Sequence, residues 1–128
     1  MQPLPKILVI DDDLLIVNIL KDILSKAGYQ VLITRDGYSA VEITHKQKPD
    51  LIILDMMLPG GGGISILHRI KLSKHINQIP VVAITSCDDD ELQKKAYEEG
   101  VNAYVRKPID EKNLIGIIDS LIKKKSAP

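Results

Sequence analysis

The chain has 128 residues, of which 17 are Lys or Arg and 17 are Asp or Glu, so its formal net charge is zero. This length suits one domain. The composition, with 45% hydrophobic and 27% charged residues, is typical of a globular protein rather than of a disordered chain. Zero net charge removes the broad attraction on which non-specific nucleic-acid or membrane-surface binding depends, so neither is an expected partner.

In the first half of the chain, short apolar runs alternate with helical patterns. Strands are predicted over Ile7 to Ile10 and Val31 to Ile33. One apolar stripe with helical spacing lies between them and ends at Gly28; it consists of Ile16, Ile19, Leu20, Ile23, Leu24 and Ala27. A shorter stripe, Ala40 to Thr44, ends before Pro49 and predicts a second helix.

The second half repeats this alternation. The predicted strands are Leu51 to Leu54, Val81 to Ile84 and Ala103 to Val105. The helical segments that follow them are Ile64 to Lys71, Asp88 to Glu99, and a stripe from Leu114 to Ile122 whose helix ends in Lys123, Lys124 and Lys125. Asp88 to Glu99 has the fewest apolar residues, so we expect it to be the element that shifts most easily.

Five strands that alternate with five helices through short links predict an α/β fold with right-handed crossovers. Each strand is a nearly continuous apolar run, which is typical of a parallel sheet covered on both faces. Five strands are too few to close an eight-stranded barrel. We therefore expect a three-layer open sandwich, with residues 1–128 forming a single domain.

Polar residues follow each of the five predicted strands, and four of the strands supply candidate site residues. The first strand leads into Asp11, Asp12 and Asp13, and the third into Asp55; Thr85 and Lys107 follow the fourth and fifth. The carboxyl ends of parallel strands share one edge, so these side chains should lie together. The second strand ends in Arg35 and Asp36, which fits a strand that lies away from the reactive edge.

Carboxylates that converge at neutral pH need a cation or a proton between them. Oxygen ligands with room for water suit Mg²⁺, with Mn²⁺ as an alternative ion. Lys107 adds a positive charge and Thr85 a hydroxyl donor, and a carboxylate can itself attack phosphorus. Alignment and charge neutralisation are the main requirements of phosphoryl transfer, so this set suits that chemistry.

The chain resembles the receiver domains of two-component response regulators, in particular chemotaxis receivers. The resemblance covers essentially the whole chain, and the matching segments are IDDD with Asp11 and Asp12, LIILDMMLPG with Asp55, VVAITS with Thr85, and AYVRKP with Tyr104 and Lys107. It implies a flavodoxin-like sheet of order 2-1-3-4-5. Pro108 stands where this family often has a cis peptide.

The resemblance also implies roles for individual residues. Asp55 would be the phosphoacceptor, supplied by a sensor histidine kinase or a phosphotransfer protein. Asp12, Asp55 and the main-chain carbonyl of Met57 would bind Mg²⁺, with Asp11 acting through water. Lys107 and Thr85 would contact phosphoryl oxygens, and Tyr104 would move inward with Thr85.

As a whole, the family resemblance implies a phosphoprotein that signals rather than an enzyme acting on separate substrates. It would assist its own phosphorylation and slow dephosphorylation. The fourth helix, fifth strand and fifth helix would form the output surface for an unidentified protein target. The chain would be a monomer or a phosphorylation-dependent dimer, and either a stand-alone regulator or a receiver cut from a longer protein.

Other functions fit the residues less well. A dehalogenase-type phosphatase needs an acid at Met57, and a flavodoxin needs a loop rich in Thr, Ser and Gly where the aspartates stand. A protein-interaction module that does not use phosphorylation is the remaining rival. One free cysteine, Cys87, cannot form an internal disulfide, and the first apolar run is too short for a signal peptide or membrane span, so we expect a cytoplasmic protein.

Several residues have simpler interpretations. Asp13 and Asp88 to Asp90 suit helix starts, and the three histidines lack metal-ligand spacing, which favours surface positions. Gly60 to Gly63 predicts a mobile loop, because the Gly-Lys-Ser/Thr of a P-loop does not follow it. Neither Met57 nor Cys87 orients water well, and in this family those positions influence water attack, so we expect slow self-dephosphorylation.

Overall fold

Five strands and five helices alternate along residues 3–58 and 62–126, the parts of the chain that the computed structural model describes. The strands are β1 (Lys6–Ile10), β2 (Gln30–Thr34), β3 (Leu51–Asp55), β4 (Val81–Thr85) and β5 (Ala103–Arg106). The helices are α1 (Leu14–Lys26), α2 (Gly37–Gln47), α3 (Gly62–Leu72), α4 (Asp90–Glu98) and α5 (Glu111–Ser126). Each predicted element is present, and most extend a few residues beyond the predicted ends, whereas α4 is shorter than the predicted Asp88 to Glu99.

The strands form one parallel sheet of order β2-β1-β3-β4-β5, as the sequence resemblance implied. In the central register, Ile7 pairs with Leu51 and Ile53 pairs with Val82. Every residue of β3 and β4 is buried, because helices cover both faces of the sheet. The carboxyl ends of all five strands therefore lie along one edge.

Alternate residues of the strands contribute to two separate hydrophobic cores. Leu8, Ile10, Ile52 and Leu54 pack on one face, beneath α2, α3 and α4. Ile7, Val9, Leu51 and Ile53 pack on the other face, beneath α1 and α5. This arrangement confirms the three-layer sandwich.

The outer helices show where the sequence pattern was correct and where it was not. Gly28, with φ of +93°, follows α1 as predicted, because glycine adopts this left-handed conformation without strain. Ile19 is 40% exposed, so its assignment to the core stripe was wrong. It lies about 100° around the helix from Leu20, which leaves it beside the buried stripe rather than in it.

Helices α4 and α5 define one flank of the molecule. In α4 only Ala96 is buried, which confirms that little apolar burial anchors this helix. Helix α5 continues to Ser126, so Lys123 to Lys125 lie in its last turn, as the sequence predicted. Among the described residues, no helix is long and apolar enough to cross a membrane.

Candidate functional site

The acidic residues at the ends of β1 and β3 form one cluster. Asp11, Asp12 and Asp55 each offer a carboxylate oxygen, and these oxygens lie within 4.8 Å of one another. Asp11 and Asp55 are 0% and 4% exposed, whereas Asp12 is exposed to solvent. Such a set of hard oxygen donors, open on one side, fits a divalent cation such as Mg²⁺.

Local hydrogen bonds hold the two buried carboxylates in place. The Asp13 N–H donates to Asp11 Oδ1 over 2.9 Å, and the Met57 N–H donates to Asp55 Oδ1 over 3.0 Å. Asp13 also caps α1, because its carboxylate accepts from the Leu15 N–H over 3.0 Å, as its position predicted. Turns that follow each strand therefore orient both acids.

Burial raises the pKa of the Asp55 carboxyl from 3.8 to about 6, and the negative charge of Asp11 adds to this rise. The Met57 N–H and the positive charge of Lys107 oppose it. At neutral pH, Asp55 is therefore mostly ionised but is less stable in that form than an exposed aspartate. A carboxylate in this state is a competent nucleophile and gains from a nearby cation.

Lys107 follows β5, which is two strands away from β3 in the sheet, and its side chain extends to this cluster. Its Nζ donates to Asp11 Oδ2 over 3.2 Å and lies 4.0 Å from Asp55 Oδ1. Its side chain is only 13% exposed, so water screens this charge less than it would at the surface. The Lys107 N–H donates to the Thr85 carbonyl over 2.7 Å, and the peptide bond to Pro108 is cis.

Thr85, the last residue of β4, and Tyr104 in β5 lie next to one another. Thr85 is fully buried, and its hydroxyl oxygen accepts from the Cys87 N–H over 3.0 Å. Tyr104 is half-buried, and its enclosed hydroxyl makes no hydrogen bond within the described part of the chain. Burial raises the pKa of Tyr104, and the neighbouring Thr85 side chain partly offsets this. Tyr104 thus already lies inward in this structure.

The loop after β3 requires a glycine at the start of α3. The Gly63 N–H donates to the Met56 carbonyl over 3.1 Å. A Cβ at Gly63 would lie 2.7 Å from the Asp55 carbonyl oxygen and 2.7 Å from Met56 Cα, both backbone atoms. Gly60 and Gly61, also part of the predicted mobile loop, lie outside the described residues. The Met57 side chain is 53% exposed.

Strand β2 lies at the outer edge of the sheet and away from β3, as the sequence indicated, but the long side chain of Arg35 at its end contacts the loop after β1. Its guanidinium Nη2 donates to the main-chain carbonyl of Asp12 over 3.2 Å. Strand β2 is next to β1 in the sheet, so a long side chain at the end of β2 reaches the loop after β1. Only the strand order, which places β2 next to β1, could have predicted this contact.

Arg106 holds the start of α4, a role that sequence reasoning did not assign. It hydrogen-bonds to Asp88, to Asp90 over 2.9 Å and to Gln93 over 3.1 Å. Helix α4 begins at Asp90 with Asp89 as its N-cap, which confirms the predicted acidic helix start. Arg106, which immediately precedes Lys107, therefore connects β5 directly to α4, the helix with the fewest buried residues.

The three histidines lie at the surface, whereas Cys87 lies beside Thr85. His45 and His68 are exposed, and His68 Nδ1 lies 2.9 Å from Glu99 at the end of α4. His75 is also exposed, as predicted for all three. Cys87 is a partly exposed free thiol.

Comparisons with known proteins agree with this geometry. The sequence matches the family described as "Response regulator receiver domain" over residues 7–119. It is 34% identical over 119 residues to the phosphate regulon transcriptional regulatory protein PhoB of Escherichia coli, covering 93% of this chain and 52% of PhoB. The chain thus spans about half the length of that relative.

Solved structures give the same result. A putative response regulator from Chloroflexus aurantiacus superposes with a TM-score of 0.89 at 27% identity, covering 93% of this chain and 98% of that one. The receiver domain of the sensor histidine kinase PA1611 from Pseudomonas aeruginosa superposes with a TM-score of 0.86 at 26% identity, with coverages of 93% and 98%. The PA1611 structure contains a magnesium ion coordinated in its active-site cleft.

Proposed function

Because this chain belongs to the response regulator receiver domain family, we propose that it is a phosphoacceptor of two-component signalling and that residues 1–128 form a single receiver domain. Asp55 is the residue that becomes phosphorylated. The observation that carries this proposal is the position of Asp55: it is buried at the end of β3, clusters with Asp11 and Asp12, and lies 4.0 Å from Lys107. The donor is a phosphohistidine on a sensor kinase or phosphotransfer protein.

In the transfer step, a carboxylate oxygen of Asp55 attacks the phosphorus of the phosphohistidine. A new O–P bond forms while the N–P bond breaks, and the electron pair of that bond stays on the imidazole nitrogen, which then takes up a proton. No general base is needed, because Asp55 is already mostly ionised at neutral pH. Lys107 balances charge on a phosphoryl oxygen, and the Thr85 hydroxyl donates to another.

A divalent cation completes this set of residues. Asp12, Asp55 and the main-chain carbonyl of Met57 would hold Mg²⁺ or Mn²⁺, with Asp11 acting through water. When bound, the ion supplies positive charge that offsets the repulsion between the carboxylates and the phosphoryl oxygens. The close acidic cluster of this chain and the magnesium ion in the PA1611 receiver both support this assignment.

Phosphorylation is proposed to change the surface formed by α4, β5 and α5. An added phosphoryl group would draw the Thr85 hydroxyl away from the Cys87 N–H, and Tyr104 would repack against the vacated space. Helix α4 is suited to respond, because it buries only Ala96 and is joined to β5 through Arg106. The output is then a population shift that a downstream protein target detects.

The test uses acetyl phosphate as a small-molecule donor. The protein is incubated with acetyl phosphate and Mg²⁺, and its intact mass is measured with and without EDTA. We expect one added phosphoryl group only when Mg²⁺ is present, and no adduct on Asp55→Asn. Asp36→Asn is the matched control, because Asp36 caps α2 and asparagine caps equally well. Equal labelling of Asp55→Asn and the parent would refute the assignment.

A further inference from the structure

Arg35 links the turn after β2 to the loop after β1, which carries Asp11 and Asp12 of the acidic cluster. Its guanidinium donates to the Asp12 carbonyl over 3.2 Å, across a sequence separation of 23 residues. From this contact we infer that Arg35 is a positioning residue for the cation site: it holds the main chain of Asp12 so that the carboxylate stays near Asp11 and Asp55. The inference rests on the proposed function, because it concerns the same site.

Asp12 needs such support more than its neighbours do. The Asp11 N–H donates to the Thr34 carbonyl over 3.2 Å, and the Asp11 carboxylate accepts from both Asp13 and Lys107. Asp13 is fixed as the N-cap of α1. Asp12 is the exposed member of the cluster, and the bond from Arg35 ties its carbonyl to the neighbouring strand. Loss of that bond should let the Asp12 main chain sample other conformations.

The positioning effect and the charge of Arg35 act in opposite directions. A guanidinium near a divalent cation repels it, so removal of the charge alone should strengthen Mg²⁺ binding. Removal of the hydrogen bond should weaken binding, because the ligand must then be ordered when the ion binds. The sign of the change in Mg²⁺ affinity therefore separates the two roles of Arg35.

The experiment measures Mg²⁺ binding by isothermal titration calorimetry on the parent, Arg35→Met, Arg35→Lys and Arg69→Met. We expect Arg35→Met to weaken Mg²⁺ binding by about threefold to tenfold, the range of one modest hydrogen bond. Arg35→Lys keeps a donor and the charge and should recover part of the affinity. Arg69 is exposed in the last turn of α3, so Arg69→Met removes the same charge without touching Asp12 and should match the parent.

Two further measurements separate positioning from general damage to the fold. Urea unfolding in EDTA should be the same for Arg35→Met and the parent, because the Arg35 side chain is exposed. The phosphorylation rate with acetyl phosphate should need more Mg²⁺ to reach half its maximum in Arg35→Met, with little change at saturating Mg²⁺.

The results also distinguish this inference from the proposed function. Unchanged or tighter Mg²⁺ binding by Arg35→Met, with normal binding by the parent, would overturn the role of Arg35 alone. If the parent protein binds no Mg²⁺, both the positioning role of Arg35 and the proposed Mg²⁺-dependent function are wrong.

Discussion

Replacing Asp55 with asparagine should stabilise the protein when no divalent cation is present. The Asp55 carboxyl is 4% exposed, and burial with a contribution from Asp11 raises its pKa from 3.8 to about 6. Each pKa unit corresponds to about 1.4 kcal/mol, so the ionised carboxylate lowers the free energy of unfolding by about 3 kcal/mol at neutral pH. Asparagine has the same shape, can still accept the Met57 N–H, and removes this cost.

The size of the stabilisation should depend on pH with a defined sign. The folded state binds the Asp55 proton more tightly than the unfolded state, because the folded pKa is the higher one. The stabilisation that comes from tighter proton binding by folded Asp55 is fully present below about pH 4 and is lost as the pH rises through about 6. The advantage of Asp55→Asn should therefore be small near pH 4 and complete above pH about 7.

The assay is urea unfolding followed by circular dichroism, in EDTA, at several pH values. Asp36→Asn serves as the control for a change from aspartate to asparagine at an exposed helix cap, and it should show no comparable gain. Added Mg²⁺ should narrow the difference, because it stabilises the parent more than Asp55→Asn. An Asp55→Asn protein no more stable than the parent at neutral pH would refute the electrostatic reasoning.

Three further predictions concern the residues around the site. Gly63→Ala should lower the free energy of unfolding by about 1 to 3 kcal/mol, because its Cβ would lie 2.7 Å from backbone atoms. A Cβ at Gly116 in α5 would meet no atom within 4 Å, so Gly116→Ala should raise the free energy of unfolding by about 0.5 to 1 kcal/mol; urea unfolding measures both changes. Tyr104→Phe should stabilise the unphosphorylated protein by about 1 kcal/mol by removing an enclosed hydroxyl without a described partner, and an unchanged unfolding midpoint would contradict this. Met57→Asn and Cys87→Glu should each shorten the phosphorylated lifetime in Mg²⁺, measured by intact mass; a parent lifetime of seconds would refute slow self-dephosphorylation.

The sequence pattern predicted the layers of this fold because burial leaves a strong local signal. Strands β3 and β4 are covered on both faces, and a fully buried strand appears as an unbroken apolar run. Ile19 shows where the pattern fails, because an apolar side chain at the margin of a helical stripe can face either the core or solvent. Strand order came from the family resemblance, since neighbouring strands are not specified by local periodicity.

The residues of the candidate site differ in how far the sequence could place them. Asp11, Asp55 and Thr85 lie at the ends of buried strands, and the carboxyl ends of parallel strands share one edge of the sheet in any strand order. Arg35 and Arg106 act through long side chains whose partners lie in other loops, at separations that no local pattern encodes. The close approach of Gly63 to the backbone of β3 likewise appears only when the elements are packed.

The proposed phosphoacceptor role of Asp55 is tested by identifying the residue that carries the phosphoryl group. The protein is labelled with acetyl phosphate and Mg²⁺, reduced with borohydride, which converts an aspartyl phosphate to homoserine, and sequenced by fragmentation mass spectrometry. We expect homoserine at position 55 and unmodified aspartate at Asp11 and Asp12. Homoserine in place of Asp11 or Asp12, or unmodified Asp55 in labelled protein, would show that Asp55 is not the phosphoacceptor.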